Sequence, residues 1–180
     1  STAFTAKNPS ETSISHLELI DSYLKSLKTS FTASNFERTI EIGNYLLTII
    51  PEGLADQYHH KVVIERYLSL AHLALNRHDR AVEHSIKMIE AAEKTRDVML
   101  RIRSYVVLGK VHLTFGHLTA AAKGWECVLR SIVEPVPKAW LLHEIGRCYY
   151  EMGNDLKALE MARRCCDWAD EGKSNKWIFY

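Results

Sequence analysis

The chain repeats itself three times around a short turn, and that repetition constrains the fold more than any single residue does. RYLSLAHLALNRHDRAVEHSIKMI surrounds Asn76, SYVVLGKVHLTFGHLTAAAKGWECVL surrounds Gly116, and WLLHEIGRCYYEMGNDLKALEMARRC surrounds Gly153. Each is an apolar helix-like run, a turn, and a second run entered through a small residue, Ala81, Ala121 or Ala158. A helical hairpin of this kind cannot bury its own apolar face. Neighbours must stack, and stacking leaves an extended concave surface suited to another protein.

Placing the three turns in register puts Ser69, Gly109 and Gly146 seven positions before them. Small residues there let the two helices of a hairpin cross closely. The turn residues Asn76, Gly116 and Gly153 suit the left-handed conformation that often ends a helix. A weaker unit precedes these three: Ser34-Asn35-Phe36-Glu37-Arg38-Thr39-Ile40 reads as a turn and small residue, and Pro51 closes its second helix. From small residue to small residue the steps are 42 (Thr39 to Ala81), 40 (to Ala121) and 37 (to Ala158). The pattern predicts eight helices over 14–29, 36–50, 55–75, 78–94, 97–115, 118–132, 138–152 and 155–170. Residues 1–12 read as unstructured. The solenoid occupies 13–172, in units of about 14–52, 55–95, 97–134 and 138–171. Residues 173–180 read as the start of a further helix or as a cap, so the chain looks like a piece of a longer array.

Composition removes several function classes. A net charge of +1 argues against binding that depends on neutralising many phosphates, and so against a nucleic-acid partner. No apolar run approaches the roughly 20 residues of a membrane span. The polar start STAFTAKNPSETS lacks a signal-peptide core, which predicts a cytoplasmic or cytoskeletal setting. No phosphate-binding glycine loop, HExxH pair or GxSxG elbow occurs, so no enzyme activity, cofactor or small-molecule substrate is expected. Cys127, Cys148, Cys165 and Cys166 form no CxxC pair and read as buried, reduced thiols. No metal site is expected, because no Cys or His pair has ligand spacing and adjacent His59 and His60 do not share a helix face. His72 and His112 occupy one repeat position and read as satisfied interior histidines.

The order of small, large and turn positions resembles the tetratricopeptide repeat, stretched beyond that family's period of about 34 residues. HEAT and armadillo repeats overlap the period but lack the spacing of glycine, small residue and aromatic. The family's usual tryptophan is replaced by Glu65, Tyr105 and Leu142, and its closing proline appears only as Pro51 and, a few positions late, Pro135. The resemblance implies an all-α, right-handed α-solenoid of about four stacked hairpins whose first helices line a groove. It places Lys28, Arg66, Leu70, Leu73, Arg103, Val106, Lys110, Leu113, Trp140, His143, Arg147 and Tyr150 on that groove, with Glu151 the one acidic position. A basic, partly apolar groove predicts an acidic, partly apolar partner segment, helical or extended. The Lys and Asn of the chaperone-docking clamp are missing from the fifth and ninth positions, so chaperone tails are not the expected ligand.

The hairpins RYLSLAHLALNRHDRAVEHSIKMIE and AWLLHEIGRCYYEMGNDLKALEMA are similar, more narrowly, to tetratricopeptide subunits of the axonemal complexes that dock outer dynein arms. That likeness implies a ciliary adaptor whose protein partners are coiled-coil docking subunits. Their Glu-rich, apolar-seamed surface would suit such a groove. The stretched period is also similar to that of cell-polarity and spindle-orientation adaptors, which hold extended peptides.

Overall fold

The turns divide the polypeptide into hairpins, and local chemistry at each end decides where helices stop. The computed structural model describes residues 9–171. Within them run α1 (Pro9–Thr32), α2 (Phe36–Ile49), α3 (Gln57–Ala74), α4 (His78–Thr95), α5 (Val98–Thr114), α6 (Leu118–Ser131), α7 (Pro135–Glu151) and α8 (Asp155–Glu171). No strand occurs among the described residues, and no described helix is long and apolar enough to cross a membrane. Two helices start earlier than expected, each at a proline. α1 begins at Pro9 rather than 14, taking in residues 9–12, and α7 begins at Pro135 rather than 138. Proline suits the first helical turn, where φ is already set and the missing N–H had no partner to lose. Residues 1–8 and the 173–180 segment lie outside the described residues.

Four hairpin turns share one mechanism. Ser34, Asn76, Gly116 and Gly153 all adopt positive φ, between 59° and 77°. The amide after each reaches back to the carbonyl five residues earlier: Asn35 to Ser30, Arg77 to His72, His117 to His112, and Asn154 to Tyr149, at 2.8–2.9 Å. This is the Schellman closure, which satisfies carbonyls that a helix end would otherwise leave unpaired. Arg96 also lies at φ 59°, ending α4. The next residue, Asp97, caps α5 through Oδ1, which accepts from Met99 N at 2.9 Å and Leu100 N at 3.2 Å. Asp97→Ala is expected to lower stability by about 1 kcal/mol in chemical denaturation.

The pattern of burial separates inner from outer helices. α5 buries Ile102, Ser104, Val106, Val107, Gly109, Val111 and Leu113, which lie on more than one face. α4 buries Ala81, His84, Ser85, Met88, Ile89, Ala91 and Ala92, a single stripe at helical spacing. Accordingly α1, α3, α5 and α7 pack against one another in succession, whereas the backbones of α2, α4, α6 and α8 stay apart, with side-chain contact such as that of Arg164 on α8 to Glu126 on α6 at 3.4 Å. The result is a solenoid with a continuous inner row. Its core is divided into three clusters, around Leu27, Leu46 and Leu68, around Met88 and Val111, and around Trp125, Leu142 and Ile145.

The small residues seven before each turn do sit at the hairpin crossings, each solved differently. Ser69 Oγ donates to Ala81 O at 2.8 Å and meets Ser85 Oγ at 2.7 Å. At Gly109 the indole of Trp125 lies flush on the backbone: a Cβ there would fall 2.1 Å from Nε1. A Cβ on Gly146 would meet Met161 Cβ at 3.3 Å.

Two expectations need correction. Cys127 is exposed on the outer side of α6, as is Cys166 on α8; only Cys148 and Cys165 are buried. Burial pushes both of those thiols up to about 11. His112 does not share the interior position of His72. It is half-buried and turns toward His78 and His117.

Candidate functional site

Side chains on the inner row enclose a cleft of about 610 Å³ that crosses three hairpins. α3 supplies Val62, Val63, Arg66, Tyr67 and Leu70; α5 supplies Leu100, Arg103, Val106, Val107 and Lys110; α7 supplies Trp140, Glu144 and Arg147. Met88 of α4 reaches the floor between α3 and α5. A depression of similar volume, about 620 Å³, is lined by α6 alone and collects no residues from a second hairpin. The inner cleft draws its lining from three successive hairpins.

Each cation in the cleft has a distinct environment. The Arg103 guanidinium lies 5.7 Å from the Trp140 ring centroid, and that of Arg66 lies 5.9 Å from the Tyr67 ring. Both stack on aromatic faces and keep their donors for a ligand. Arg147 stands 3.7 Å from Glu144 and 3.5 Å from Glu151, and Lys110 stands 4.0 Å from Glu151. The pairs to Glu151 are solvent-exposed and worth little on their own, so a bound carboxylate can replace them. Four cations against Glu144 alone make the lining basic. Valine, leucine, tyrosine and tryptophan side chains supply apolar contact between the charges.

Seven of the twelve residues expected on the groove line this cleft: Arg66, Leu70, Arg103, Val106, Lys110, Trp140 and Arg147. Five do not. Leu113 is a correction: at 4% exposure it belongs to the core shared by α5 to α8. Leu73, at the same register, is packed against the cluster that α3 shares with α4 and α5. Both lie in the last turn of a first helix, where the following hairpin covers them. Lys28 is exposed on α1, beyond the cleft, and Tyr150 projects into solvent at 71% exposure. His143 is half-buried with Nδ1 3.5 Å from Glu144. Sequence reasoning missed Glu144, although its position three before Arg147 is the ordinary spacing of a helical ion pair.

The chain is similar to outer dynein arm-docking complex subunit 4. Over 170 residues, 94% of the chain, it is 28% identical to the protein of that name from Danio rerio. Over 174 residues it is 25% identical to the one from Xenopus laevis, and over 107 residues 26% identical to the one from Homo sapiens. No protein-family model matches the chain. The chain spans about a third of the length of the Danio rerio and Xenopus laevis relatives, 34% and 32%. With the former the likeness covers all four hairpins and therefore includes the cleft.

α3 and α4 share a buried polar group where the tetratricopeptide pattern would have tryptophan. Glu65 Oε2 is 2.6 Å from His84 Nδ1, and both side chains are less than 10% exposed. His72 stacks on His84, with ring centroids 5.2 Å apart and planes 6° from parallel. Its Nδ1 is buried and has no hydrogen-bond partner, so the expected satisfied histidine is buried but not satisfied. Burial first, then the charges of His84, Arg77 and Arg80, lower His72 from 6.5 to about 4, against an opposite pull from Glu37. The group joins α3 to α4 within the second hairpin.

Proposed function

We propose that this region is a non-catalytic docking adaptor whose inner cleft holds an acidic, partly apolar segment of a protein partner. One observation carries the reading: Arg66, Arg103, Lys110 and Arg147 project from three successive hairpins into one cleft, interleaved with aromatic and aliphatic surface. A segment that crosses three repeats can place carboxylates against the arginines and apolar side chains between them. The relatives' name supports the setting, the docking of outer dynein arms on the ciliary axoneme. In that setting the partner is a Glu-rich coiled-coil docking subunit.

The triple change Arg103→Glu, Lys110→Glu and Arg147→Glu tests the cleft. It is expected to weaken binding of a Glu-rich amphipathic helix by more than about a hundredfold. Helical content should be unchanged, because all three residues lie at the surface of the inner row. Fluorescence anisotropy gives the affinity, and capture from ciliated-cell extract with mass spectrometry gives the partner. Loss of both signals in the triple variant supports the reading. Equal capture by both proteins moves the site to another face, and capture of polarity rather than axonemal proteins replaces the docking role.

A further inference from the structure

Three histidines from two neighbouring turns meet at one rim of the solenoid. His78 is the first residue of α4, His112 lies in the last turn of α5, and His117 is the N-cap of α6. The Schellman turn at Gly116 fixes two of them, because the His117 amide donates to the His112 carbonyl at 2.8 Å. That closure sets the side chains on either side of the turn against each other, here with ring centroids 6.1 Å apart and planes within 19°. His78 arrives from the preceding hairpin and stands 4.7 Å from His117, centroid to centroid.

Each of the three offers one ring nitrogen, and these nitrogens all lie within 4.8 Å of one another. Two further observations point to a ligand. His78 Nε2 and His112 Nδ1 are buried yet have no hydrogen-bond partner, an arrangement that costs free energy unless something binds them. The other nitrogen of His78, Nδ1, faces the Asp79 carboxylate at 3.6 Å. An acid behind a histidine orients the ring and raises its basicity as a ligand, as in many zinc sites. The Phe115 ring packs edge-on against His78 and backs the cluster with apolar surface.

We propose that His78, His112 and His117 form a binding site for a divalent first-row transition metal of the zinc class. Three imidazoles favour zinc, copper or nickel over magnesium or calcium, and they leave one position of a tetrahedron for water or a partner's side chain. Metal–nitrogen bonds of about 2.0–2.1 Å bring ligand nitrogens to about 3.3 Å apart. The rings must therefore close by about 1.5 Å, within reach of a side-chain rotation at exposed His117. The bound ion would clamp the turn of the second hairpin to that of the third. Arg66 and Arg103 belong to those two hairpins, so occupancy would fix their relative placement across the cleft.

The test uses the untagged chain with zinc ion alone, and magnesium ion as the control. Isothermal titration is expected to give one zinc per chain and a raised thermal midpoint. Cobalt substitution is expected to give the visible absorption of a tetrahedral site. His117→Gln, an exposed change that leaves the fold intact by circular dichroism, should weaken zinc binding by more than about a hundredfold. His59→Gln with His60→Gln should leave it unchanged. Undetectable zinc binding, equal binding by His117→Gln, or loss in the His59/His60 variant instead would each overturn the site.

Discussion

Gly109→Val is expected to cost about 3 kcal/mol or more. A Cβ at Gly109 would lie 2.1 Å from Nε1 and 2.2 Å from Cε2 of Trp125, whose side chain is 1% exposed. The indole is rigid and surrounded by the largest core cluster, so it cannot swing aside as a long aliphatic side chain would. Chemical denaturation checks the loss. The second hairpin suggests a rescue, because it fills the same crossing with Ser69 and Ser85 instead of a glycine and a tryptophan. Gly109→Ser combined with Trp125→Ser should therefore lose less than the sum of the two single changes. Additivity within about 0.5 kcal/mol would mean that the two positions do not compensate.

Glu65→Ala is expected to cost about 3–5 kcal/mol, because it leaves His84 buried without its partner at 2.6 Å. Replacing the pair together, Glu65→Leu with His84→Leu, should come close to neutral, since packed apolar groups of similar volume need no partner. The same group sets a pH dependence. In the unfolded chain His72 takes up a proton near 6.5, whereas in the fold it does so only near 4. Above about pH 6.5 neither state is protonated and the full stability is present. Between 6.5 and 4 the unfolded state binds a proton that the folded state refuses, and stability falls by an amount on the order of 3 kcal/mol. Below about pH 4 this contribution is constant. Urea denaturation across the window should show the decline in the natural chain and a flatter curve in His72→Phe. Parallel curves would remove His72 as its source.

The legibility of these features in the sequence follows their range along the chain. Asn76, Gly116 and Gly153 could be read because a left-handed helix end favours Asn or Gly. The cleft cations could be placed because register on a first helix fixes the direction of a side chain, and Lys110 and Arg147 answer one another by position, each six residues before its turn. Leu113 and Leu73 could not, since what covers the last turn of a first helix is the next hairpin. Glu65 read as a degenerate repeat position because its partner His84 lies on the other helix of the hairpin. Cys127 shows a simpler limit: an apolar neighbour in sequence, Val128, faces the core while Cys127 itself faces out. His78 and His112 are 34 residues apart and meet only through the stacking of turns.

The continuous row formed by α1, α3, α5 and α7, with the backbones of the second helices held apart, has a mechanical consequence. In a bent beam one line keeps its length while material away from it stretches or closes. Here that line runs through the cleft-bearing helices, so flexing the array alters the gaps among α2, α4, α6 and α8 first. The intervals between Arg66, Arg103 and Arg147 behave as graduations on a ruler that stays calibrated as its backing bends. A segment lying across the cleft would therefore meet the same intervals whether the array is straight or bent.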